Sequence, residues 1–184
     1  MNRKSVANEI AKKAVLDLSV EERNALVLSV WHVVDQQDID EGFDVSQIDI
    51  DYSILEFFLN NEFDDDMVYG EFFTPAIVYM LSQRYLLYNN MKLKKMYKIL
   101  YCEDICISED SRDFFSKCKC CGFYTLPLEP DFEACGLCLW QDEGKNDYDF
   151  SPVNGMTIIE YREIFFVNNA KAKLEKLYIS DNSI

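Results

Sequence analysis

The 184-residue chain has little histidine, glycine or proline, and it has no long apolar run. It contains one histidine, His32, together with six glycines and four prolines. No apolar run approaches the roughly 18 residues that a membrane span needs. We find no Ser-His-Asp set, no phosphate-binding loop and no H-E-x-x-H motif, and His32 follows Trp31 on an apolar helical stripe that suits a structural histidine. These absences predict that the protein is not an enzyme.

Positive charge is also scarce, since 18 Lys and Arg residues stand against 33 Asp and Glu and give a net charge of −15. This makes nucleic acid an unlikely partner, because affinity for phosphates depends on basic side chains. It favours either a basic protein partner or simple solubility. The charged N-terminus and the odd, clustered cysteines argue against secretion. We therefore expect a cytoplasmic protein without membrane association.

Acidic residues concentrate between Trp31 and Pro75, where thirteen Asp and Glu residues occur without one Lys or Arg. Either this segment is a solvated loop and helix face, or it is a surface that attracts a basic partner. Aromatic residues that can serve as interface anchors or as core lie among the acids: Tyr52, Phe57, Phe58, Phe63 and Tyr69. The acids that we assign to a partner surface are Asp49, Asp51, Glu62, Asp64, Asp65 and Asp66.

The apolar periodicity predicts an α+β fold that is mainly α: a helical body, a small β-hairpin near the C-terminus and a final helix. Capping boxes begin two of the helices, at Ser19–Glu22 and at Thr157–Glu160. The last helix is expected to reach about Leu177. We place a helical acidic region over 1–116 and the hairpin with the final helix over 117–184, packed as one unit. Further helices are predicted over Ser5–Val15, Tyr52–Asn60 and Thr74 to about Tyr88, and Met91–Tyr101 either continues the last of these or begins a new helix.

Five of the seven cysteines fall within 22 residues. Cys118 and Cys121 form one C-x2-C pair, and Cys135 and Cys138 form a second pair, with thirteen residues between the two pairs. Each pair can place two thiolates on one side of a tight turn, and two such turns supply the tetrahedral four-sulfur site that zinc prefers. A disulfide, an iron–sulfur cluster and unliganded thiols are the alternatives. Four thiolates leave no open coordination position, so one Zn2+ here would be structural.

The strands Phe123–Leu126 and Phe132–Ala134 are predicted to form the hairpin that joins the two pairs. Three cysteines remain outside the four-sulfur site. Cys120 lies between two ligands and is best interpreted as a buried filler, with a spare ligand or a redox-sensitive thiol as alternatives. Cys102 and Cys106 are expected to be ordinary core cysteines.

Several short motifs together resemble the bacterial cysteine-rich CPCC family. They are Cys118-Lys-Cys-Cys-Gly122, Tyr124-Thr-Leu126, Cys135-Gly-Leu-Cys138, Trp140-Gln-Asp142 and Asn154-Gly-Met-Thr157. The chain departs from the family pattern at Lys119 and Gly136, where the family usually has proline. The resemblance implies a small cytosolic bacterial protein, encoded in several cases beside a secreted toxin.

The resemblance and the acidic charge together predict an immunity protein that binds and neutralises a cognate toxin. The toxin is expected to be basic, as a nuclease would be, because an acidic inhibitor attracts a basic enzyme electrostatically. A nucleic-acid-binding or regulatory zinc ribbon is the alternative, based on the lysines of the helix after Asn89. Against it, Cys118–Pro152 has seven acids and two lysines.

Overall fold

The computed structural model describes residues 1–35, 50–61, 71–109, 111–128, 132–178 and 180. Most of the proposed partner surface, Asp49, Glu62 and Asp64–Asp66, lies outside these residues, as do Phe63, Tyr69 and the side chain of His32. The described helices are α1 (Arg3–Ala14), α2 (Val20–Asp35), α3 (Tyr52–Asn60), α4 (Thr74–Leu86), α5 (Asn90–Tyr101), α6 (Ile158–Asn168) and α7 (Lys171–Leu174). None of them is long and apolar enough to cross a membrane.

Polar caps determine where most of these helices begin. At α2, the Glu22 amide donates to the Ser19 hydroxyl at 3.2 Å, and the Glu22 carboxylate accepts from the Ser19 amide at 2.8 Å, which confirms the predicted capping box. Asp51 caps α3 and Asn89 caps α5, each accepting a backbone amide. Because side chains satisfy these first amides, the helix starts are locally encoded.

The chain folds into two compact units, one of Lys4–Tyr85 and one of Met1–Arg3 with Leu86–Ile184. The core of the first unit includes Trp31, whose ring lies 5.0 Å from that of Phe58. The core of the second unit surrounds the buried cysteines and contains Phe123 and Trp140. The domain boundary proposed at 116/117 stays a prediction.

Two short strands form the described sheet. β1 (Phe115–Lys117) pairs antiparallel with β2 (Tyr124–Pro127), with Ser116 opposite Leu126. The prediction of a mainly helical protein with a small hairpin and a helix near the C-terminus is therefore confirmed. The pairing of the strands differs from the expected one, because β2 pairs with the segment before the first C-x2-C pair and Ala134 instead bridges Gln141. Each tight turn that carries a C-x2-C pair reverses the chain direction, so the segments just before and just after that turn pair with each other.

The end of the chain also differs from the prediction. The capping box at Thr157 and Glu160 is present, but α6 ends at Asn168 and a separate short helix follows at Lys171. The Asn169 side-chain amide donates to the carbonyl of Phe165 at 3.1 Å. The backbone of Asn169 is extended, with φ −132° and ψ 106°, and this ends α6 in the middle of the predicted element.

Candidate metal centre

The structure brings four buried thiols together. The Sγ atoms of Cys118, Cys121, Cys135 and Cys138 all lie within 4.8 Å of one another. The Cys118–Cys138 and Cys121–Cys135 sulfur pairs are each 3.7 Å apart, much longer than the roughly 2.05 Å of a disulfide. Among the described residues this is the one such group of potential metal ligands. The arrangement is compatible with a single metal site.

The spacing fits a tetrahedral metal. Four sulfurs at a Zn–S distance of about 2.3 Å lie about 3.8 Å apart when they are tetrahedral. The Cys118–Cys138 and Cys121–Cys135 separations of 3.7 Å match that value within about 0.1 Å. A metal bound here would be held by all four thiolates and would crosslink two distant parts of the chain, which stabilises the fold.

Two similar turns position the thiols; we call Cys118–Phe123 the first knuckle and Cys135–Trp140 the second. In the first knuckle the Cys118 amide donates to the Phe123 carbonyl, and the Gly122 amide donates to the Cys118 carbonyl, both at 2.9 Å. Gly122 has a φ of +78°, which glycine adopts without steric cost. The turn therefore directs Cys118 and Cys121 to the same side.

The second knuckle repeats this pattern. The Cys135 amide donates to the Trp140 carbonyl at 2.8 Å, and the Leu139 amide donates to the Cys135 carbonyl at 2.9 Å. Leu139 occupies the position of Gly122 and has a φ of +64°. The two knuckles thus share one backbone geometry, although a residue with a side chain takes the left-handed conformation in the second.

Hydrogen bonds converge on one sulfur. The Thr125 hydroxyl lies 2.9 Å from the Cys135 Sγ, and the amides of Leu137 and Cys138 donate to it at 3.4 Å. Hydrogen bonds from the thiols of Cys118, Cys121 and Cys138 hold the pKa of Cys135 well below its usual value. The surroundings of Cys135 therefore favour its thiolate form.

The crowding acts in the opposite direction on Cys121. Its hydrogen bonds with Cys118, Cys135 and Cys138, followed by burial, raise its pKa. One thiolate therefore disfavours the ionisation of its neighbours. A divalent metal offsets this repulsion, because its positive charge stabilises thiolates that otherwise keep their protons.

Consecutive residues of α6 contact the two knuckles. The Tyr161 hydroxyl donates to the Cys138 carbonyl at 2.8 Å. The Arg162 guanidinium donates to the carbonyls of Cys120 and Lys119 at 2.8 and 2.7 Å. Neighbouring positions on a helix point about 100° apart, so one turn of α6 can hold both knuckles.

The remaining cysteines have different environments. Cys120 is 1% exposed and belongs to the core around the four thiols, as expected of a buried filler, and the structure does not group its sulfur with the four. The prediction of core cysteines at 102 and 106 is wrong, because both residues are exposed. Cys102 ends α5 in a left-handed conformation, so the helix stops before Cys106 and the two thiols do not share a helix face.

The described part of the predicted partner surface has mixed roles. Asp51 is exposed, but its carboxylate accepts from the amide and hydroxyl of Ser53 at 2.9 and 2.6 Å, so it caps α3. Hydrogen bonds from the hydroxyl and then the amide of Ser53 lower its pKa. Phe58 is buried, Phe57 is partly buried, and Tyr52 is 70% exposed. Of these aromatics, Tyr52 is the one most available to a partner.

Sequence reasoning missed the residues that support the knuckles. Nothing in the sequence singled out Tyr161 or Arg162, whereas Thr125 lies in the Tyr124-Thr-Leu126 motif. The role of Asn154 had a signal, because a short motif containing it had been noted. Its side chain accepts from the Gln141 amide and donates to the Gln141 carbonyl, both at 2.9 Å, and thereby ties a later loop to the segment that follows the second knuckle.

Comparisons with known proteins recognise the cysteine-containing part of the chain. No curated protein and no solved structure matches. A family model described as Cysteine-rich CPCC matches residues 116–173, which include both knuckles, the loop tied by Asn154, and α6. This match supports the cysteine-rich CPCC family for the segment 116–173, as the sequence motifs indicated.

Proposed function

We propose that this protein is an immunity protein that binds and neutralises a cognate, basic bacterial toxin, and that it is not an enzyme. The supporting observation is a net charge of −15 in a chain whose CPCC segment holds a closed four-thiol site. An acidic binder meets a basic toxin with fast, salt-sensitive association. The four-sulfur site would hold one structural Zn2+ and leave no position for substrate.

The zinc assignment follows from the donor set and the spacing. Four thiolates in a tetrahedron are the usual ligands of structural zinc. Metal analysis of freshly purified protein should give about one zinc per chain. Cys118→Ser should lose the metal, whereas the matched control Cys120→Ser should keep it. A folded protein without metal, or equal metal loss in the two variants, would contradict this assignment.

The immunity function is tested with the product of a neighbouring gene that encodes a secreted toxin. Co-expression of this protein should restore the growth of cells that make the toxin in the cytoplasm, and the purified proteins should bind each other. Normal toxicity in the presence of well-expressed, folded protein, without binding, would refute the immunity function.

The contribution of the acidic segment is tested by charge reversal. Asp64→Lys should slow association with the toxin, and the effect should shrink as salt screens the charges. Glu163→Lys, which changes an exposed acid on α6 by the same amount, is the matched control. Equal association rates for the two variants would remove the acidic segment from the binding surface.

A further inference from the structure

An exposed loop of the CPCC segment, Asp142–Val153, displays large apolar side chains to solvent. Tyr148 is 83% exposed, Phe150 is 60% exposed and Val153 is 58% exposed. Scattered exposed apolar residues are common on protein surfaces. These three, however, fall within six consecutive positions, and aromatic residues are those most enriched among the anchors of protein interfaces.

Hydrogen bonds at both ends hold this loop in a defined conformation. The Asn154 side chain donates to the Ser151 hydroxyl at 2.7 Å and binds the backbone of Gln141. The Ser151 hydroxyl in turn donates to the Glu143 carboxylate. These bonds fix the start of the loop to its end, so the exposed aromatics are presented by an ordered backbone.

The middle of the loop is fixed as well. The Asn146 side chain and amide both donate to the Asp149 carboxylate, at 2.9 and 3.2 Å. The Asp147 carbonyl accepts from the Ile159 amide at 3.3 Å at the start of α6, and its carboxylate lies 3.4 Å from Arg162. A loop ordered in this way loses little conformational entropy on binding, which favours affinity.

The charge around the aromatics is negative. Within the loop, Asp142, Glu143, Asp147 and Asp149 stand against Lys145. Lys119 and Arg162 from outside the loop pair with Asp142 and Asp147, but the four acids still outnumber the three basic residues, and the chain as a whole carries −15. One divalent metal with four thiolates would add about two further negative charges to the CPCC segment. The surface therefore complements a cationic partner rather than an anionic or a neutral one.

We propose that the loop Asp142–Val153 is a docking surface for an arginine-rich segment of a protein partner, with the Tyr148 and Phe150 rings as its anchors. Guanidinium groups stack on aromatic rings, which a lysine ammonium does less well, and the surrounding carboxylates attract them. This inference deepens the proposed function, because it gives an inhibitor of a basic toxin a defined contact surface.

The adjoining cleft does not carry the proposal. It encloses about 420 Å³ and is lined by Phe132, Asp142 and Glu143 but also by Lys117 and Lys119. The Lys119 ammonium lies 3.7 Å from the Asp142 carboxylate. A cationic side chain would meet two lysines in this cleft, which directs a basic partner to the aromatic face of the loop.

The probe for this surface is a pair of fluorescent peptides, nona-arginine and nona-lysine, titrated into the full-length protein and followed by anisotropy. The arginine peptide should bind several-fold more tightly than the lysine peptide at the same salt concentration. The double variant Tyr148→Ala/Phe150→Ala should weaken binding of the arginine peptide about tenfold and should leave the lysine peptide nearly unchanged.

Two controls make this result specific. Tyr52→Ala removes an aromatic side chain of similar exposure, 70%, from the other unit and should have no effect. Tyr148→Phe keeps the ring and should restore most of the lost affinity. Equal binding of the two peptides, or a double variant that binds like the wild type, would overturn the proposal. Because no toxin is involved, the peptide result and the growth-rescue result can fail independently.

Discussion

The two knuckles have the same backbone hydrogen bonds but are supported in different ways. The first knuckle uses Gly122 at its left-handed position and continues into the ladder between β1 and β2. The second uses Leu139 at that position and continues into a single bridge between Ala134 and Gln141. The first knuckle thus reaches this backbone geometry with a glycine and a paired strand. The second reaches the same geometry with a leucine in a left-handed conformation, held by neighbouring side chains.

Removal of one ligand should have the largest effect and should reveal how strongly the knuckles depend on each other. Cys138→Ser leaves the first knuckle intact in sequence but opens the metal site, which can contribute on the order of 10 kcal/mol. We therefore expect loss of metal and of amide-exchange protection in β1 and β2 as well as in the second knuckle.

Cys102→Ser is the control for this experiment, because Cys102 is an exposed thiol at the end of α5. It should leave both metal content and amide exchange unchanged. If the β1–β2 amides stay protected in Cys138→Ser, the first knuckle is stable without the metal, and the two knuckles are independent.

The second largest effect should come from Asn154, which supports only the second knuckle. Asn154→Ala removes the side chain that binds both backbone groups of Gln141 and the Ser151 hydroxyl. Partly buried groups that lose their partners should lower the free energy of unfolding by about 2 kcal/mol. Denaturant unfolding measures this, with Asn146→Ala in the exposed part of the loop as the matched control. Equal losses in both variants would contradict the special role of Asn154.

How much of this arrangement could be predicted depends on the distance over which each feature is encoded. The capping boxes at Ser19 and Thr157 and the two C-x2-C pairs are local patterns, and each specified its own geometry. The strand that pairs with Tyr124–Pro127 was mispredicted, because a continuous run of β-forming residues indicates a strand but does not identify its partner.

The supporting contacts of the knuckles could not be predicted at all. Arg162 lies 42 residues from Cys120 and Tyr161 lies 23 residues from Cys138. The sequence shows an ordinary arginine and tyrosine on a helix. They acquire their roles when the fold directs one turn of α6 toward two backbone turns, and no spacing rule describes such a contact.

A smaller pair of effects, of opposite sign, should arise at the left-handed positions. Gly122→Ala has room for its Cβ, since the nearest atom is 3.9 Å away, but a non-glycine residue with this φ costs about 1 kcal/mol. Leu139→Gly removes that cost from the second knuckle. Glycine also raises the entropy of the unfolded chain, which offsets part of the gain, so a net stabilisation of about 0.5 kcal/mol is expected.

Thermal unfolding of the metal-loaded variants tests the expected destabilisation by Gly122→Ala and the expected stabilisation by Leu139→Gly. The Leu139 side chain is 71% exposed, so its removal should cost little packing. Leu139→Ala is the control that shortens the side chain but keeps the strain, and it should not stabilise the protein. Stabilisation by Leu139→Ala equal to that by Leu139→Gly would show that the conformation of Leu139 carries no strain.

The smallest expected effect is the loss of the α6 capping box at low pH, which should reach both knuckles. Hydrogen bonds from the amide and then the hydroxyl of Thr157 lower the pKa of Glu160 from its ordinary value of 4.5. The capping box therefore adds stability above about pH 4.5, and this contribution is lost as pH falls through the lowered pKa. Tyr161 and Arg162 come directly after Glu160 in α6. Fraying of the first turn of α6 should therefore loosen the bonds of Tyr161 and Arg162 to the two knuckles together.

Amide exchange in α6 and in the two knuckles, measured between pH 4.5 and 3 with Glu160→Gln as the reference, tests this coupling. The glutamine variant keeps a side-chain acceptor but has no charge to titrate, so its pH dependence should be flatter at both knuckles. A flatter dependence at one knuckle alone would mean that α6 supports the two turns separately, through Arg162 in the first and Tyr161 in the second.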